Sequence, residues 1–363
     1  MSTHTPPLSK GGSTRTATAS PSISSDFREL LKTTSVHQLL LDKKNAIPLV
    51  ALPATASIED VLDRLLAEDV LSVPIYTSTT SDDNDTRYIG LVSAYDLLVY
   101  LSNDLDFDED VMAWIEDGSH GSAADRLARD LQQPVLRVVE QLDLASKVVT
   151  VAPDDSVQTL LALLTRHGQH HAIVQASRTS TSAASYPLPC MISQTDLGRF
   201  LTQHFHQLGR ILDWSVEETA SHRPSPHRPV TVPVNTTAGA VFRQLSMLLA
   251  SDAAPNEGGG ALAVVDDMGS MVAECSAAEL RGLNPARMDT LRRPILVYLR
   301  ERAGGQLPRP YICWPNYTLT QCLAGMVRLG VRRAWLVDDA GVPRRVVTLS
   351  DVLRLFAPSS TAI

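Results

Sequence analysis

Four copies of one tetrad, a Ser or Thr followed three residues later by Asp or Glu, are the first candidates for chemistry in this sequence. They are Ser93-Ala-Tyr-Asp96, Ser193-Gln-Thr-Asp196, Ser276-Ala-Ala-Glu279 and Thr348-Leu-Ser-Asp351. Each follows a short apolar run, so each hydroxyl is expected to open a helix. The spacing favours a capping box, in which the hydroxyl and the carboxylate satisfy backbone amides. The free amides of a helix N-terminus also suit an anion such as phosphate.

Two basic pairs lie just before short apolar strands, Arg332-Arg333 before Ala-Trp-Leu-Val and His170-His171 before Ala-Ile-Val. Arginine presents several fixed donors to a phosphate, whereas histidine does so only when protonated or as a neutral donor. The alternative interpretation is that these are solvated turn residues. For the arginines, taken together with Thr348 and Asp351, contact with a ligand is favoured. For the histidines the two interpretations are equally supported.

The sequence lacks the motifs of common catalytic sites. It contains no GxSxG, no HExxH, no P-loop and no GxGxxG after a strand. The four cysteines are widely spaced without a CxxC pair, which fits neither a zinc site nor a disulfide framework. We therefore predict a protein that is not an enzyme, has no bound metal or cofactor, and resides in the cytoplasm, the nucleus or both.

Composition excludes several broad classes. The chain has 363 residues, 44% of them hydrophobic and 20% charged, so it is too long for one ordinary domain and apolar enough for several cores. Its formal net charge of −8 argues against general binding to a nucleic-acid backbone. No apolar run reaches the roughly 18 residues of a membrane helix. We expect a protein of several domains that binds neither nucleic acid nor membranes.

The pattern around the tetrads recurs four times. An amphipathic helix is followed by a strand, a turn and a second strand, which ends in the tetrad that opens another helix. The fourth copy is the clearest, because Thr318 and Gln321 have capping-box spacing and precede the strands Ala334–Val337 and Arg345–Val347. A unit this small exposes one face of its own sheet, so neighbouring copies must stack to bury it. The expected fold is α+β or α/β, with four repeats arranged as two pairs.

Changes in composition suggest domain boundaries. Residues 1–29 form a Ser/Thr-rich tail that is expected to be disordered, with a transit peptide as the weaker alternative. An acidic connector at residues 102–132 separates the first two repeats, and a linker at residues 215–229 separates the two pairs. The repeats themselves are assigned to residues 30–101, 133–214, 230–299 and 300–363.

With these motifs, the repeats resemble CBS domains, which work in tandem as Bateman pairs. The best matches are Tyr88-Ile-Gly-Leu-Val-Ser-Ala-Tyr-Asp96 and Val346-Val-Thr-Leu-Ser-Asp351. Four such copies in one chain resemble the gamma regulatory subunit of AMP-activated protein kinase. The resemblance covers nearly everything outside the tail.

The resemblance also implies a ligand site. In this family the Asp of the tetrad holds ribose hydroxyls, the Ser or Thr lies near the phosphate, and the basic pair faces the phosphates. The implied regulatory ligand is AMP, ADP or ATP. The third copy has Gly259-Gly260 in place of the basic pair and Glu279 in place of Asp, so its site is expected to be empty. The implied binding residues of the other copies are Arg332, Arg333, Thr348, Asp351, His170, His171, Ser193, Asp196, Ser93 and Asp96.

The function implied by the resemblance is that of a non-catalytic regulatory subunit that binds adenine nucleotides and modulates a Ser/Thr protein kinase with catalytic and scaffold subunits. The acidic connector, with Trp114 and Ile115, is a candidate contact for such a partner. The alternative is a scaffold or an inhibitor of a phosphatase or other partner, with vestigial nucleotide sites. The arginines argue for a phosphate and therefore against S-adenosylmethionine as the ligand, whereas nothing in the sequence separates adenine from guanine.

Overall fold

The computed structural model describes residues 23–41, 49–78, 86–104, 122–166, 169–175, 188–221, 228–250 and 257–357. Within these ranges the strands are β1 Leu52–Pro53, β2 Ser72–Ser78, β3 Thr86–Ser93, β4 Thr150–Val151, β5 His171–Val174, β6 Cys190–Ser193, β7 Thr231–Pro233, β8 Ala261–Val265, β9 Met271–Ser276, β10 Ile312–Cys313, β11 Arg333–Val337 and β12 Pro343–Thr348. The α-helices are α1 Ser25–Thr33, α2 Val36–Leu41, α3 Ile58–Ala67, α4 Ala94–Asp104, α5 Ser122–Leu131, α6 Leu136–Gln141, α7 Val157–Leu164, α8 Gln194–Gln203, α9 Phe205–Leu208, α10 Val216–Ser221, α11 Ala238–Ala250, α12 Ile295–Arg302, α13 Leu319–Leu329 and α14 Leu349–Arg354. Short 3-10 helices occupy Leu144–Lys147, Arg210–Asp213, Glu257–Gly260, Ala277–Leu280 and Pro285–Arg292.

The strands form four three-stranded sheets, β1–β2–β3, β4–β5–β6, β7–β8–β9 and β10–β11–β12. In every sheet the first two strands run parallel and the last two antiparallel. Parallel strands need a crossover connection, which in each sheet is the amphipathic helix between its first two strands. We number these units repeats 1 to 4 in chain order. They confirm the predicted mixed fold of four repeats.

Capping residues fix where the crossover helices begin. The Asp60 amide donates to Ser57 Oγ over 3.0 Å at the start of α3. In repeat 4 the Gln321 amide donates to Thr318 Oγ1 over 3.2 Å, and the Thr318 amide donates back to Gln321 Oε1 over 2.9 Å. The capping box predicted from this spacing therefore forms at the start of α13.

A short segment docks beside the cap of each crossover helix and completes that repeat. The segments that dock on repeats 1 and 3 each follow their own repeat in the chain. The segment that docks on repeat 2 lies before repeat 1, and the segment that docks on repeat 4 lies before repeat 3. Each contact is an isolated antiparallel β-bridge: Ser57 with Pro134, Ser35 with Ser156, Thr237 with Pro294 and Ser215 with Thr318. Repeats 1 and 2 are therefore interleaved along the chain, and so are repeats 3 and 4.

This interleaving changes two of the expected boundaries. The predicted disordered tail ended at residue 29, yet α1 begins at Ser25 and its Phe27 is fully buried against Phe200 and Phe356, with ring centroids 6.4 and 6.1 Å away. Residues 30–41, assigned to repeat 1, pack with repeat 2 for the same reason. The predicted linker began at residue 215, but Val216 of α10 is buried against repeat 4. Trp114 and Ile115 of the acidic connector, the candidate contact for a partner, lie outside the described residues.

The buried side chains divide into two main hydrophobic cores. One joins repeats 1 and 3 and includes α4 and α11; the other joins repeats 2 and 4 and includes α8, α13 and α14. A smaller cluster around Trp335 packs the sheets of repeats 3 and 4 together. Repeats 1 and 2 meet where Ser72 Oγ and His171 Nδ1 lie 3.1 Å apart. The four repeats thus form a closed ring in the order 1, 2, 4, 3.

No helix in the described part of the chain is long and apolar enough to span a membrane.

Candidate functional site

A cavity of about 360 Å³ lies at the junction of the four repeats. Every repeat contributes the dipeptide that enters its second strand, and these dipeptides meet because they occupy equivalent places around the ring. They are Leu71-Ser72, His170-His171, Gly259-Gly260 and Arg332-Arg333. The other polar residues on the wall are Ser93, Tyr95, Asp96, Lys147, Gln169, Gln194, Thr348, Ser350 and Arg354.

Arg332 reaches across the cavity wall to repeat 2. Its Nη2 lies 3.1 Å from His171 Nε2, and His171 Nδ1 lies 3.1 Å from Ser72 Oγ. A guanidinium can only donate, so His171 Nε2 must accept and the ring must be neutral, with its proton on Nδ1 directed to Ser72. This chain of bonds joins repeats 4, 2 and 1.

Arg333 is held differently. Its Nη2 donates to the Tyr95 hydroxyl over 3.0 Å, and its Nη1 lies 3.4 Å from Glu274 Oε1. The other oxygen of Glu274 accepts from Trp335 Nε1 over 2.5 Å. Arg333 therefore ties repeat 4 to repeats 1 and 3, and its charge is balanced by a carboxylate.

The electrostatic states of the two arginines differ accordingly. Burial lowers the pKa of Arg332 to about 10, and the positive charges of Arg333 and Arg281 act in the same direction. Burial also opposes the charge on Arg333, but Tyr95 and Glu274 outweigh it, so the pKa of Arg333 is raised. Arg332 has no salt bridge to a carboxylate within the described ranges.

Three of the four tetrads form the expected capping bonds. The backbone amides of Ser93, Ser193 and Thr348 each donate over 2.9 Å to the carboxylate three residues later. Asp96 lines the cavity and lies 3.7 Å from Lys147 Nζ. Asp196 and Asp351 do not line it; they pair with Arg199 at 3.2 Å and Arg354 at 3.3 Å.

The cavity thus brings together Arg332, Arg333, Thr348, His170, His171, Ser93 and Asp96 from the predicted set, with the exposed His170 at its edge. It leaves Ser193, Asp196 and Asp351 off its wall. No group of three or more His, Cys, Asp or Glu side chains arranged for a metal lies among the residues that the structure describes.

Repeat 3 supplies Gly259, Gly260 and the apolar side chain of Leu249 to the wall, but no polar side chain. Gly259 has a φ of +58°, and a Cβ there would lie 2.9 Å from Thr348 Cγ2, so a glycine is required. Ser276 is followed by the 3-10 turn Ala277–Leu280 without a side-chain capping bond, so the capping box expected at this tetrad does not form. Glu279 does not line the cavity, and burial raises the pKa of its carboxyl group.

The sequence-based analysis missed several cavity residues. Three of them occupy the middle positions of tetrads: Gln194, Tyr95 and Ser350. Their place in a tetrad is a sequence signal that could have predicted them. Arg354 follows Asp351 by three residues on a helix, a spacing that brings opposite charges together. Lys147 carries no such signal, because it reaches the cavity from the 3-10 turn Leu144–Lys147.

Comparison with known proteins agrees with this architecture. The sequence model of the CBS domain family matches residues 44–103 and 306–358. SNF1-related protein kinase regulatory subunit gamma-like PV42a of Arabidopsis thaliana is 22% identical over 341 residues, covering 84% of this chain and 90% of that protein. The similarly named PV42b of the same plant is 22% identical over 361 residues, covering 88% and 93%.

Among solved structures, protein MJ1225 of Methanocaldococcus jannaschii, proposed as an archaeal homologue of g-AMPK, has a TM-score of 0.58 at 13% identity and covers 88% of this chain and 99% of that one. That likeness supports the fold. The chain thus contains two stretches that match the CBS domain family within a fold of four similar repeats, and over most of its length it is similar to plant proteins named as gamma-like regulatory subunits of a protein kinase.

Proposed function

We propose that this protein is a non-catalytic regulatory subunit that binds an adenine nucleotide, AMP, ADP or ATP, in the central cavity and so modulates a Ser/Thr protein kinase. The observation that carries the proposal is the state of Arg332. Its guanidinium lines the cavity, its bonded partner is a neutral imidazole, and it has no carboxylate partner in the described chain. A partly buried cation without a counter-charge is costly, and an anionic ligand would remove that cost.

The rest of the cavity suits a small phosphorylated ligand. Its volume of about 360 Å³ falls within the range of small-molecule sites. Lys147 and Arg354 add positive charge, and Asp96 could accept from ribose hydroxyls. The hydroxyl of Thr348 also lies at the wall, but its proton is donated to Asp351. The ring of Tyr95 and the apolar side chain of Leu71, which also line the cavity, could contact the base.

The names of the relatives support the choice of partner. Both plant proteins are named as regulatory subunits of a protein kinase, so we extend to this chain a complex with kinase catalytic and scaffold subunits, in the cytoplasm or nucleus. A ligand in the cavity would contact repeats 1, 2 and 4 together and favour one arrangement of the ring. A partner that binds this arrangement more tightly would then respond to the ligand.

Calorimetric titration of the purified full chain tests the ligand. AMP, ADP or ATP should bind, and adenosine should bind at least about tenfold more weakly, because one lost charge-assisted hydrogen bond costs ~1.5–3 kcal/mol. Titration with GMP tests whether the site selects the base, and titration with S-adenosylmethionine tests whether the site requires a phosphate. Absence of binding at millimolar nucleotide would overturn the proposal. Affinity purification should recover a Ser/Thr kinase subunit.

The second candidate is a scaffold or an inhibitor of a phosphatase or other partner, with vestigial sites. The observation in its favour is that Asp196 and Asp351 are satisfied by capping bonds and lie off the cavity. Under this hypothesis no nucleotide binds, and affinity purification recovers a phosphatase without kinase subunits.

A further inference from the structure

The two adjacent arginines of repeat 4 have different surroundings. Arg333 begins β11 and Arg332 immediately precedes it, so their side chains leave the backbone in different directions. The side chain of Arg333 is 8% exposed and is paired with the carboxylate of Glu274. Arg332 is only partly buried and has a neutral partner. The family pattern would place both guanidinium groups on the ligand.

We propose that the two arginines divide their roles, with Arg332 binding the anionic group of the ligand and Arg333 acting as a structural tie. This inference rests on the proposed function, because it concerns the same cavity. Arg333 connects three repeats through Tyr95 and Glu274. An anion that recruited Arg333 would have to compete with Glu274, whereas Arg332 can bind an anion without leaving a carboxylate.

The environment of Arg333 supports a fixed role. Its Nε is buried and has no hydrogen-bond partner within the described chain, so this N–H is not open to solvent. Tyr95, which accepts from Arg333, packs close to Gly260, where an added Cβ would come within 3.3 Å of Tyr95 Cε1. Glu274 is fixed by Trp335, which is fully buried between the sheets of repeats 3 and 4.

The environment of Arg332 supports ligand binding. Among the residues that the structure describes, only one of its five N–H groups has a partner, and that partner is itself oriented by Ser72. His171 is therefore a positioning residue, which holds the guanidinium at the wall without neutralising it. Phosphate oxygens could take the remaining donors while the bond to His171 persists.

The test compares Arg332→Gln with Arg333→Gln in the full chain. Calorimetry would use AMP, ADP, ATP and inorganic pyrophosphate as probes, and thermal unfolding would be measured without ligand. Arg332→Gln should weaken binding about 10- to 100-fold and leave the unfolding midpoint nearly unchanged. Arg333→Gln should lower the midpoint clearly and, in the folded protein, change the affinity by less than about threefold.

Glu274→Gln is the second variant, because it removes the charge that holds Arg333 and does not touch the cavity. It should lower the unfolding midpoint and keep the affinity within about threefold. A tenfold or greater gain in affinity would show that Arg333 is a ligand residue restrained by Glu274 and would overturn the inference. Equal losses of affinity in Arg332→Gln and Arg333→Gln with an unchanged midpoint would do the same. Binding by the unmodified protein decides the proposed function separately.

Discussion

Asp96 and Asp351 make the same local bonds in different surroundings. Each accepts from the amide and the hydroxyl of the Ser or Thr three residues earlier, and each lies within 4 Å of a basic side chain. The carboxylate of Asp96 also lines the central cavity, whereas that of Asp351 does not. The role of a tetrad aspartate is therefore set by where its helix points as well as by its motif.

Asp351→Ala and Asp96→Ala form a matched pair that separates capping from binding. Asp351→Ala should lower the free energy of unfolding by ~0.5–2 kcal/mol through the lost cap and leave nucleotide affinity within about twofold. Asp96→Ala should lower both the free energy of unfolding and the nucleotide affinity. Urea unfolding and calorimetry on the same preparations provide the two readouts. Weaker binding in Asp351→Ala with unchanged stability would place Asp351 on the ligand.

The sequence predicts the chemistry of these residues better than their orientation. The tetrads and the basic pairs have fixed places beside the strands, so their presence near a shared site follows from the repeats. Whether Arg332 or Arg333 meets an anion depends on Glu274 and Tyr95, which come from two other repeats. Pairings over such distances in the chain leave no periodic signal.

At the scale of elements, the crossover helices and hairpins follow from apolar spacing and capping, but the docking segments do not. α1 is short and polar on its exposed side, and it follows a stretch rich in Ser and Thr, so composition assigns its first part, residues 25–29, to the tail. Its buried Phe27 and Leu31 complete the core of repeats 2 and 4. A long-range packing partner overrides the local composition here.

Phe27→Ala tests this assignment, because Phe27 lies within the region predicted to be a disordered tail. Loss of a fully buried phenylalanine should cost ~3–5 kcal/mol of stability. Leu41→Ala is the control, since Leu41 is 51% exposed and should change stability by less than ~1 kcal/mol. Denaturant unfolding monitored by tryptophan fluorescence gives both values. Equal stability of the two variants would mean that α1 does not stabilise the core and belongs to the disordered tail.

At the scale of the whole molecule, the two cores cross the division between the sequence pairs. Repeats 1 and 2 precede residues 222–227 and repeats 3 and 4 follow them, but each main core draws on both halves. The sheets of repeats 3 and 4 also pack together, and the central cavity takes its wall from all four repeats. Separation of the halves would expose both cores and open the cavity.

Cleavage between the halves is therefore expected to leave them associated. A protease site placed within residues 222–227 should be cut without loss of the complex on size exclusion, and the cut protein should still unfold in one transition, because each core spans both fragments. Residues 1–221 and 228–363, expressed separately, should each expose apolar surface and bind a hydrophobic dye. Mixing them should restore one transition and, with it, nucleotide binding at the cavity. Two fragments that elute apart and unfold cooperatively on their own would mean that each pair of consecutive repeats is an independent domain, and the shared cores would then contribute little to stability.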